Sequence, residues 1–457
     1  MIGRGEAARD RVAVIPSPQP LAPGPEQVNM HNRQSTIDND PSQRPRLVVV
    51  SPFLDKRHGT ERCVAEQVER LAQDYDILLY SNAVRDVDLG KITWRRVPAL
   101  PRPHLFAYAW WVLANHFCRW RDARNGGAAP ALVYSPGINC FDADVISVHV
   151  VFAEFYGRAR HALEFGGHPV LTWPRLAHRH LYYRLLMRLE RLVYTRKKTV
   201  LTTVSARAAR SLQRYGREES EITVIHHGLD PERFNPEARA RLREEARGTL
   251  GIKEDEFCLL LVGNDWKNKG LPTALECMDR LWEPRIRLLV AGQDTAEPYR
   301  QTIERLHLEK QVTFLPPRPD VEFYYAAADL YVGPSLEDAF GLPPLEAMAC
   351  GVPAITSAQA GVSEVITEGK DGFVLDHGED SERMSEIITL LFENESLRRR
   401  IGENAAKTAK QYSWDHNAEQ LRTLLSKVLQ QKELQAGIEK EVGIRDTAYG
   451  VPGKIRE

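Results

Sequence analysis

Residues 334–351 read PSLEDAFGLPPLEAMACG. Two acids, Asp338 and Glu346, flank a Gly/Pro turn and have seven residues between them. The run after Pro343 and Pro344 is helix-forming, and proline is tolerated in a first turn, where its missing N–H has no intrahelical partner to lose. A helix beginning near Leu342 leaves the N–H groups of Phe340, Gly341 and Leu342 pointing out of its start, where a partial positive charge suits a phosphate. Asp338 lies before the turn, and Glu346 about one and a half turns into the helix. Ionised acids there accept hydrogen bonds from hydroxyls, each worth roughly 1.5–3 kcal/mol. The pattern fits a ligand that carries both phosphate and vicinal hydroxyls, as a nucleotide sugar does.

Around this stretch, short β-branched runs alternate with helical patterns. One series falls at 257–262, 286–290, 312–315, 330–332, 354–356 and 373–375; an earlier one falls at 47–50, 75–80, 92–97, 132–134, 145–149, 200–204 and 222–225. Apolar strands alternating with helices predict parallel sheets covered on both faces. Between the series, HHGLDPERFNP at 226–236 has the Gly and Pro punctuation of an interdomain linker. The expected fold class is α/β, with two Rossmann-like doubly wound domains facing across a cleft. Residues 1–44, rich in Pro, Ser, Asn and Gln, are expected to be a disordered leader. The first domain is expected at 45–229, the second at 230–412, a helix returning towards the first at 413–430, and a charged tail at 431–457.

The chain has 457 residues, 61 Lys plus Arg against 62 Asp plus Glu, and 43% hydrophobic residues. That is ordinary globular composition, too long for one core, and its balanced charge gives no reason to expect nucleic acid as a partner. Cys63, Cys118, Cys140, Cys258, Cys277 and Cys350 are scattered without zinc-site spacing and read as buried reduced thiols. The first 30 residues lack a signal-peptide core, and the longest apolar stretch, 105–120, contains His116 and Arg119 and is too short to span a bilayer. The expected location is the cytoplasm.

DAFGLPPLEAMACGVPAI, residues 338–355, resembles the acid, seven residues, acid motif of retaining glycosyltransferases of family 4 and the Gly-Val-Pro strand entry that follows it. The resemblance extends over roughly residues 46–428 and implies the two-Rossmann-domain architecture called GT-B. It implies that Glu346 holds the ribose hydroxyls of a nucleotide-sugar donor and Asp338 the hydroxyls of its sugar. Asp338 stands where the family usually has Glu, one methylene shorter.

VGNDWKNKG, residues 262–270, follows the first strand of the second series. A Lys beside a helix start there stabilises charge on a departing phosphate oxygen. Relatives carry an Arg early in this loop and a Lys before its last Gly; this chain has Asn264 and Lys269, with Lys267 able to share the load. RHGTER, residues 57–62, resembles the family's Gly-Gly-x-Glu-Arg loop with His58 in place of the first Gly, which brings Gly59 to the diphosphate or the acceptor. A plain N-cap by Thr60 fits those residues equally well. His149 ends the strand at 145–149, and in relatives a His there bonds the donor sugar. Arg318, beside Pro317, is the residue expected near the base.

Asp-x-Asp triplets occur at 38–40, 86–88 and 142–144, in unrelated contexts. No metal is expected, because Lys269 and the helix start already supply positive charge. Residues 175–198 contain Arg175, Arg179, Arg184, Arg188, Arg191, Arg196, Lys197 and Lys198 against Glu190 alone, with Leu181, Leu185, Leu189, Leu192 and Val193 placed on one face. Such a helix can lie on an anionic membrane, here the inner face, or can be a core helix with a basic outer side. The expected activity is metal-independent transfer of a sugar, with retention, from a nucleotide-sugar donor to a glycan or lipid-linked hydroxyl acceptor. The rivals are a nucleotide-sugar epimerase of the same architecture and a non-catalytic sugar-nucleotide-binding subunit. A nicotinamide dehydrogenase and a phosphate-loop kinase are disfavoured, since neither glycine signature follows a predicted strand.

Overall fold

A computed structural model describes residues 44–56, 59–100, 104–125, 131–159 and 173–448. The expected leader, Arg44 apart, lies outside them, as do Arg57 and His58.

The strands are β1 (Arg46–Val50), β2 (Phe53–Leu54), β3 (Asp76–Ser81), β4 (Ala83–Val84), β5 (Ile92–Arg96), β6 (Leu132–Pro136), β7 (Val145–Val148), β8 (Val200–Thr203), β9 (Ile222–Val224), β10 (Phe257–Val262), β11 (Ile286–Ala291), β12 (Val312–Leu315), β13 (Leu330–Gly333), β14 (Ala354–Ser357) and β15 (Phe373–Leu375). They form a seven-stranded sheet in the order β5-β3-β1-β6-β7-β8-β9 and a six-stranded sheet in the order β12-β11-β10-β13-β14-β15. Both sheets are parallel throughout. The small pair β2–β4 was not expected; two-residue strands are too short to leave a period in the sequence.

The burial explains why the strands read as continuous apolar runs. Along β1, Leu47 and Val49 pack into one core while Val48 and Val50 pack into the core on the opposite face. Along β10, Cys258 and Leu260 face one way and Phe257, Leu259 and Leu261 the other. Both faces of each sheet are thus covered, which parallel sheets require. All six cysteines are buried and free.

Each sheet reverses its winding once, between β1 and β6 in the first and between β10 and β13 in the second. Beyond the carboxyl ends at such a reversal the flanking helices diverge and leave a crevice. The loops after β10 and β13 are the Lys269 loop and the Asp338 turn.

The chain crosses between the sheets twice, and the crossings are bonded to each other. Leu229 N–H donates to Tyr412 O at 2.9 Å, and Trp414 N–H donates to Leu229 O at 3.2 Å. A Cβ on Gly228 would lie 2.4 Å from Trp414 N, so only glycine allows this approach. The last helix, Trp414–Ala448, then packs Leu421, Leu424, Leu425 and Val428 into the same core as Leu47 and Val49. It runs on past residue 430, where a charged tail was expected, although 431–438 are exposed. Gln, Glu, Lys and Ala sustain a helix without a packed face, and no proline interrupts before Pro452.

The basic segment forms the helix Trp173–Tyr194, but the leucine face expected there is not its buried face. Leu176, Tyr183, Leu186, Glu190, Val193 and Tyr194 are buried, whereas Leu181 and Leu192 are exposed. The tyrosines fill the volume assigned to leucines. Glu190 turns inward because its carboxylate accepts the N–H groups of Phe152 and Ala153, at 2.6 and 3.1 Å, and the Tyr215 hydroxyl at 2.7 Å.

Candidate active site

The Lys269 loop and the Asp338 turn are bound to each other. Asn268 Nδ2 donates to Glu337 O at 2.6 Å, and Leu336 N–H donates to Asn268 O at 2.7 Å. A Cβ on Gly263 would stand 2.7 Å from Lys269 Cγ, so the lysine side chain lies across this glycine. Its ammonium forms an ion pair with Asp338 Oδ2. Asp338 Oδ1 accepts Phe340 N–H at 3.3 Å. Gly341 takes φ 94°, a left-handed conformation, and opens the helix Leu342–Ala349, with proline in its first turn. The helix's leading N–H groups have no intrahelical acceptor and face the crevice beside Lys269 and Asp338.

Glu346 is buried on this helix. Its Oε2 accepts the Tyr325 hydroxyl at 2.9 Å and its Oε1 accepts Arg62 Nη1 at 3.2 Å. Arg62 belongs to the helix Gly59–Leu71, which follows β1, so this ion pair joins the two sheets. A Cβ on Gly59 would lie 3.9 Å from Leu342 Cδ1, which sets the start of that helix against the start of the motif helix. Further along the cleft, Ser205 Oγ donates to Ala339 O at 2.8 Å. Glu364 accepts the N–H groups of Ala206 and Arg207 at 2.8 and 2.7 Å.

His149, just beyond β7, is 5% exposed. Its Nε2 lies 3.1 Å from Ser147 Oγ and its Nδ1 3.5 Å from His227 Nε2. His227 packs on Phe340, with ring centroids 5.2 Å apart. Burial pushes the His149 imidazole down to about 4. Burial, then the charges of His149, His226 and Arg62, hold His227 well below its usual value. Both rings are neutral at pH 7, so His149 is suited to hydrogen bonding, not to carrying positive charge.

Contacts thus connect Lys269 with Asp338 and Phe340, Gly59 with Leu342, and Phe340 through His227 with His149, while Glu346 lies buried on the same helix as Leu342. Asn264 and Lys267 lie on the exposed side of their loop, where Asn264 Oδ1 accepts Gln293 N–H at 2.9 Å. Arg318 is held by Asp320, at 2.6 and 3.1 Å, and stacks 4.2 Å over Phe323 in the loop after β12. Of the acid triplets, Asp142 pairs with Arg119 at 2.5 Å, and Asp144 pairs with Lys432 and accepts Val133 N–H, at 2.9 and 2.8 Å. Asp88 accepts Gly90 N–H, and the triplet at 38–40 lies outside the described residues.

Family models described as Glycosyltransferase Family 4 and Glycosyl transferases group 1 match residues 57–233 and 243–408. Lipopolysaccharide glucosyltransferase WaaG of Escherichia coli (strain K12) is 30% identical over 249 residues, which are 53% of this chain and 67% of WaaG. The chain belongs to glycosyltransferase family 4. D-inositol 3-phosphate glycosyltransferase of Corynebacterium glutamicum (strain R) is 30% identical over 224 residues, 47% of this chain and 53% of that protein. The chain thus spans about half the length of the inositol phosphate glycosyltransferases it matches. A crystal structure of WaaG shares the fold with a TM-score of 0.67 at 22% identity, covering 83% of this chain and 99% of WaaG. Anabaena Alr3699/HepE, solved in complex with UDP and glucose, aligns with a TM-score of 0.63 at 19% identity, covering 84% of this chain and all of that one. These two likenesses establish a GT-B architecture.

In this family 4 chain Arg62, Tyr325, His227 and Asn268 join the cluster without a local sequence signal that assigns them a role. Arg62 belongs to the RHGTER loop, and its partner Glu346 lies 284 positions away. His227 sat in a segment read as a linker; its signal was a His pair preceding Gly228.

The buried histidine has a measurable consequence. A His whose folded value is depressed favours the folded state while neutral. Stability is therefore complete above the unfolded value of about 6.5 and is lost as pH falls towards 4. The loss from His149 is on the order of 3 kcal/mol across that window. His149→Asn should flatten the fall in melting temperature between pH 6.5 and 4, and parallel curves for variant and wild type would refute the assignment.

Proposed function

We propose that this family 4 chain transfers a sugar from a nucleotide-sugar donor to a hydroxyl acceptor, a glycan or a lipid-linked saccharide, with retention at the anomeric carbon and without a metal. The observation that carries the reading is the Lys269–Asp338 ion pair at the mouth of the Gly341 helix, with Glu346 one turn below. It is supported by the names of the relatives, a lipopolysaccharide glucosyltransferase and inositol phosphate glycosyltransferases, and by HepE crystallised with UDP-glucose.

In this reading the donor's diphosphate draws the Lys269 ammonium away from Asp338 and sits on the N–H groups of Gly341 and Leu342. Asp338, released, accepts hydroxyls of the donor sugar, and the neutral His149 imidazole bonds the sugar from the opposite sheet. Glu346 exchanges Arg62 for the ribose hydroxyls, and the base lies towards Arg318. The bond from the anomeric carbon to the diphosphate oxygen breaks, and the acceptor oxygen bonds that carbon on the same face. The acceptor's proton passes to the departing diphosphate. Lys269 and the helix start stabilise the charge that develops there, which is the task assigned to a metal in other transferases. The reading places the protein in the cytoplasm, with residues 175–198 in peripheral contact with the inner face of an anionic membrane. The exposed arginines of that segment support this contact.

A thermal-shift screen with UDP-, GDP-, ADP- and TDP-sugars tests the reading. A donor present at about 100 times its dissociation constant adds about 2.7 kcal/mol of stability. Stabilisation by none of them would overturn it. Incubation with the stabilising donor alone then separates the rivals, because an epimerase converts the sugar without acceptor and a binding subunit leaves it intact under every acceptor.

A further inference from the structure

A second cavity lies at the amino ends of the second sheet. Asp329, immediately before β13, and Pro353, immediately before β14, both line it. The crevice beside Lys269 lies beyond the carboxyl ends of the same sheet, so the two occupy opposite edges. The helix Leu342–Ala349 runs between them. Its start opens on the crevice, whereas Cys350 and Gly351, just past its last turn, line the cavity. About 12 Å of helix separates the two.

The remaining walls come from two helices. Pro236–Thr249 contributes Arg239 and Arg243, one turn apart on one face, and Glu395–Ala409 contributes Arg398, Arg399 and Glu403. The cavity has a volume of about 320 Å³. Small-ligand sites occupy about 300–1,000 Å³.

The acids of this cavity leave two of its cations unpaired. Asp329 is fully engaged, since its Oδ1 pairs with Arg243 and its Oδ2 accepts Arg247 Nη1 at 3.0 Å and Cys258 N–H at 2.9 Å. Glu395 pairs with Arg399 at 2.7 Å. Among the described residues, Arg239 and Arg398 have no carboxylate partner. Arg398 is nevertheless held in place, because its Nη1 donates to Leu391 O at 2.6 Å and its guanidinium lies 5.0 Å from the centre of the Phe257 ring.

Arg239 is the less compensated of the pair. The residue as a whole is half-buried, but its Nε is shielded from water and meets no acceptor among the described residues. Its Nη2 donates to Ala328 O at 2.7 Å, which leaves Nη1 for a ligand. Burial, then the like charge of Arg243, pushes this guanidinium down to about 10. Burial lowers Arg398 as well. Both remain cations at pH 7, and a desolvated cation without a counter-charge is destabilising until an anion joins it.

We propose that this cavity binds a small phosphate-bearing anion between Arg239 and Arg398, either inorganic phosphate or the phosphate group of a phosphorylated metabolite. A guanidinium presents its donors in a planar fork that matches phosphate oxygens, and such charge-assisted bonds are about twice as strong as neutral ones. Glu395 and Glu403, both exposed, stand on the same wall and repel a long polyanion such as nucleic acid. A small anion reaches the arginines without meeting them.

The test is calorimetric titration of the full chain with inorganic phosphate and with glucose 6-phosphate in low-chloride buffer, the donor crevice being filled beforehand with whichever nucleoside diphosphate stabilises the protein. At least one of the two anions should bind. Phosphate binding more tightly assigns the site to the free ion, and glucose 6-phosphate binding more tightly assigns it to a phosphomonoester. Arg239→Gln combined with Arg398→Gln should weaken that binding by at least about tenfold, since charge-assisted contacts are lost. Arg239→Lys, which keeps the charge and loses the fork, should weaken it less. Arg398→Gln alone leaves the bond to Ala328 O intact and serves where the double variant fails to fold. Lys269→Ala should bind the anion as tightly as wild type, because the lysine stands at the opposite edge of the sheet. No binding of either anion, or unchanged affinity in the arginine variants, would overturn the site. So would binding that Lys269→Ala abolishes, which would place the anion in the donor crevice. The titration requires neither turnover nor acceptor, so its failure and that of the transferase reading are separate results.

Discussion

Lys269→Ala should lower turnover by roughly 100-fold or more, as loss of a donor that serves the transition state does. The lysine side chain lies across Gly263 and ends on Asp338, so its ammonium is held beside the start of the Gly341 helix before any donor arrives. Both partners of the ion pair are 18% exposed, and water can reach Asp338 once the lysine is gone. The cost in stability should therefore be modest, and melting temperature distinguishes a lost catalytic charge from a damaged fold. Turnover measured at saturating donor and acceptor is the decisive quantity. If it is unchanged, Lys269 does not stabilise the leaving diphosphate.

Glu346→Gln should weaken donor affinity by about 10- to 150-fold, the equivalent of one charge-assisted hydrogen bond of roughly 1.5–3 kcal/mol. Glutamine keeps the shape and leaves an oxygen for the Tyr325 hydroxyl, which Glu346 now accepts at 2.9 Å. It removes the charge that holds Arg62 from the opposite sheet at 3.2 Å. Calorimetric titration with the nucleoside diphosphate alone isolates the effect, because that ligand has the ribose and lacks the sugar. An affinity equal to that of wild type would remove Glu346 from the ribose site and leave it a purely structural bridge to Arg62.

Local chemistry made much of this legible. Continuous apolar runs such as 47–50 and 257–262, short and bounded by turn residues, fit strands buried on both faces, and their order along the chain implied two parallel sheets. Gly341 and Pro343 marked the helix start because each suits a backbone conformation that few other residues adopt there. What escaped were relations between distant residues. Nothing near Arg62 announces Glu346, and nothing near His149 announces His227. The face of the helix Trp173–Tyr194 was misassigned because a leucine pattern gives hydrophobicity but not which side of a helix meets tyrosine-sized volume. The helix His104–Arg124 was visible as apolar sequence, yet only the burial of Trp111 and Ala114 beside the exposure of Leu113 and Phe117 reveals that it presents apolar residues to both core and solvent.

The return of the last helix to the first sheet bears on how this protein can be dissected. Leu421, Leu424, Leu425 and Val428 complete the core that Leu47 and Val49 share with Val64, Val68 and Leu71, so the first half is not a contiguous piece of sequence. A fragment cut after residue 229 would uncover that apolar face and aggregate, whereas the segment 230–412 surrenders no comparable cover. Transplanting the amino-terminal half into another enzyme therefore means carrying the carboxyl-terminal helix with it, as two distant segments of one structural unit.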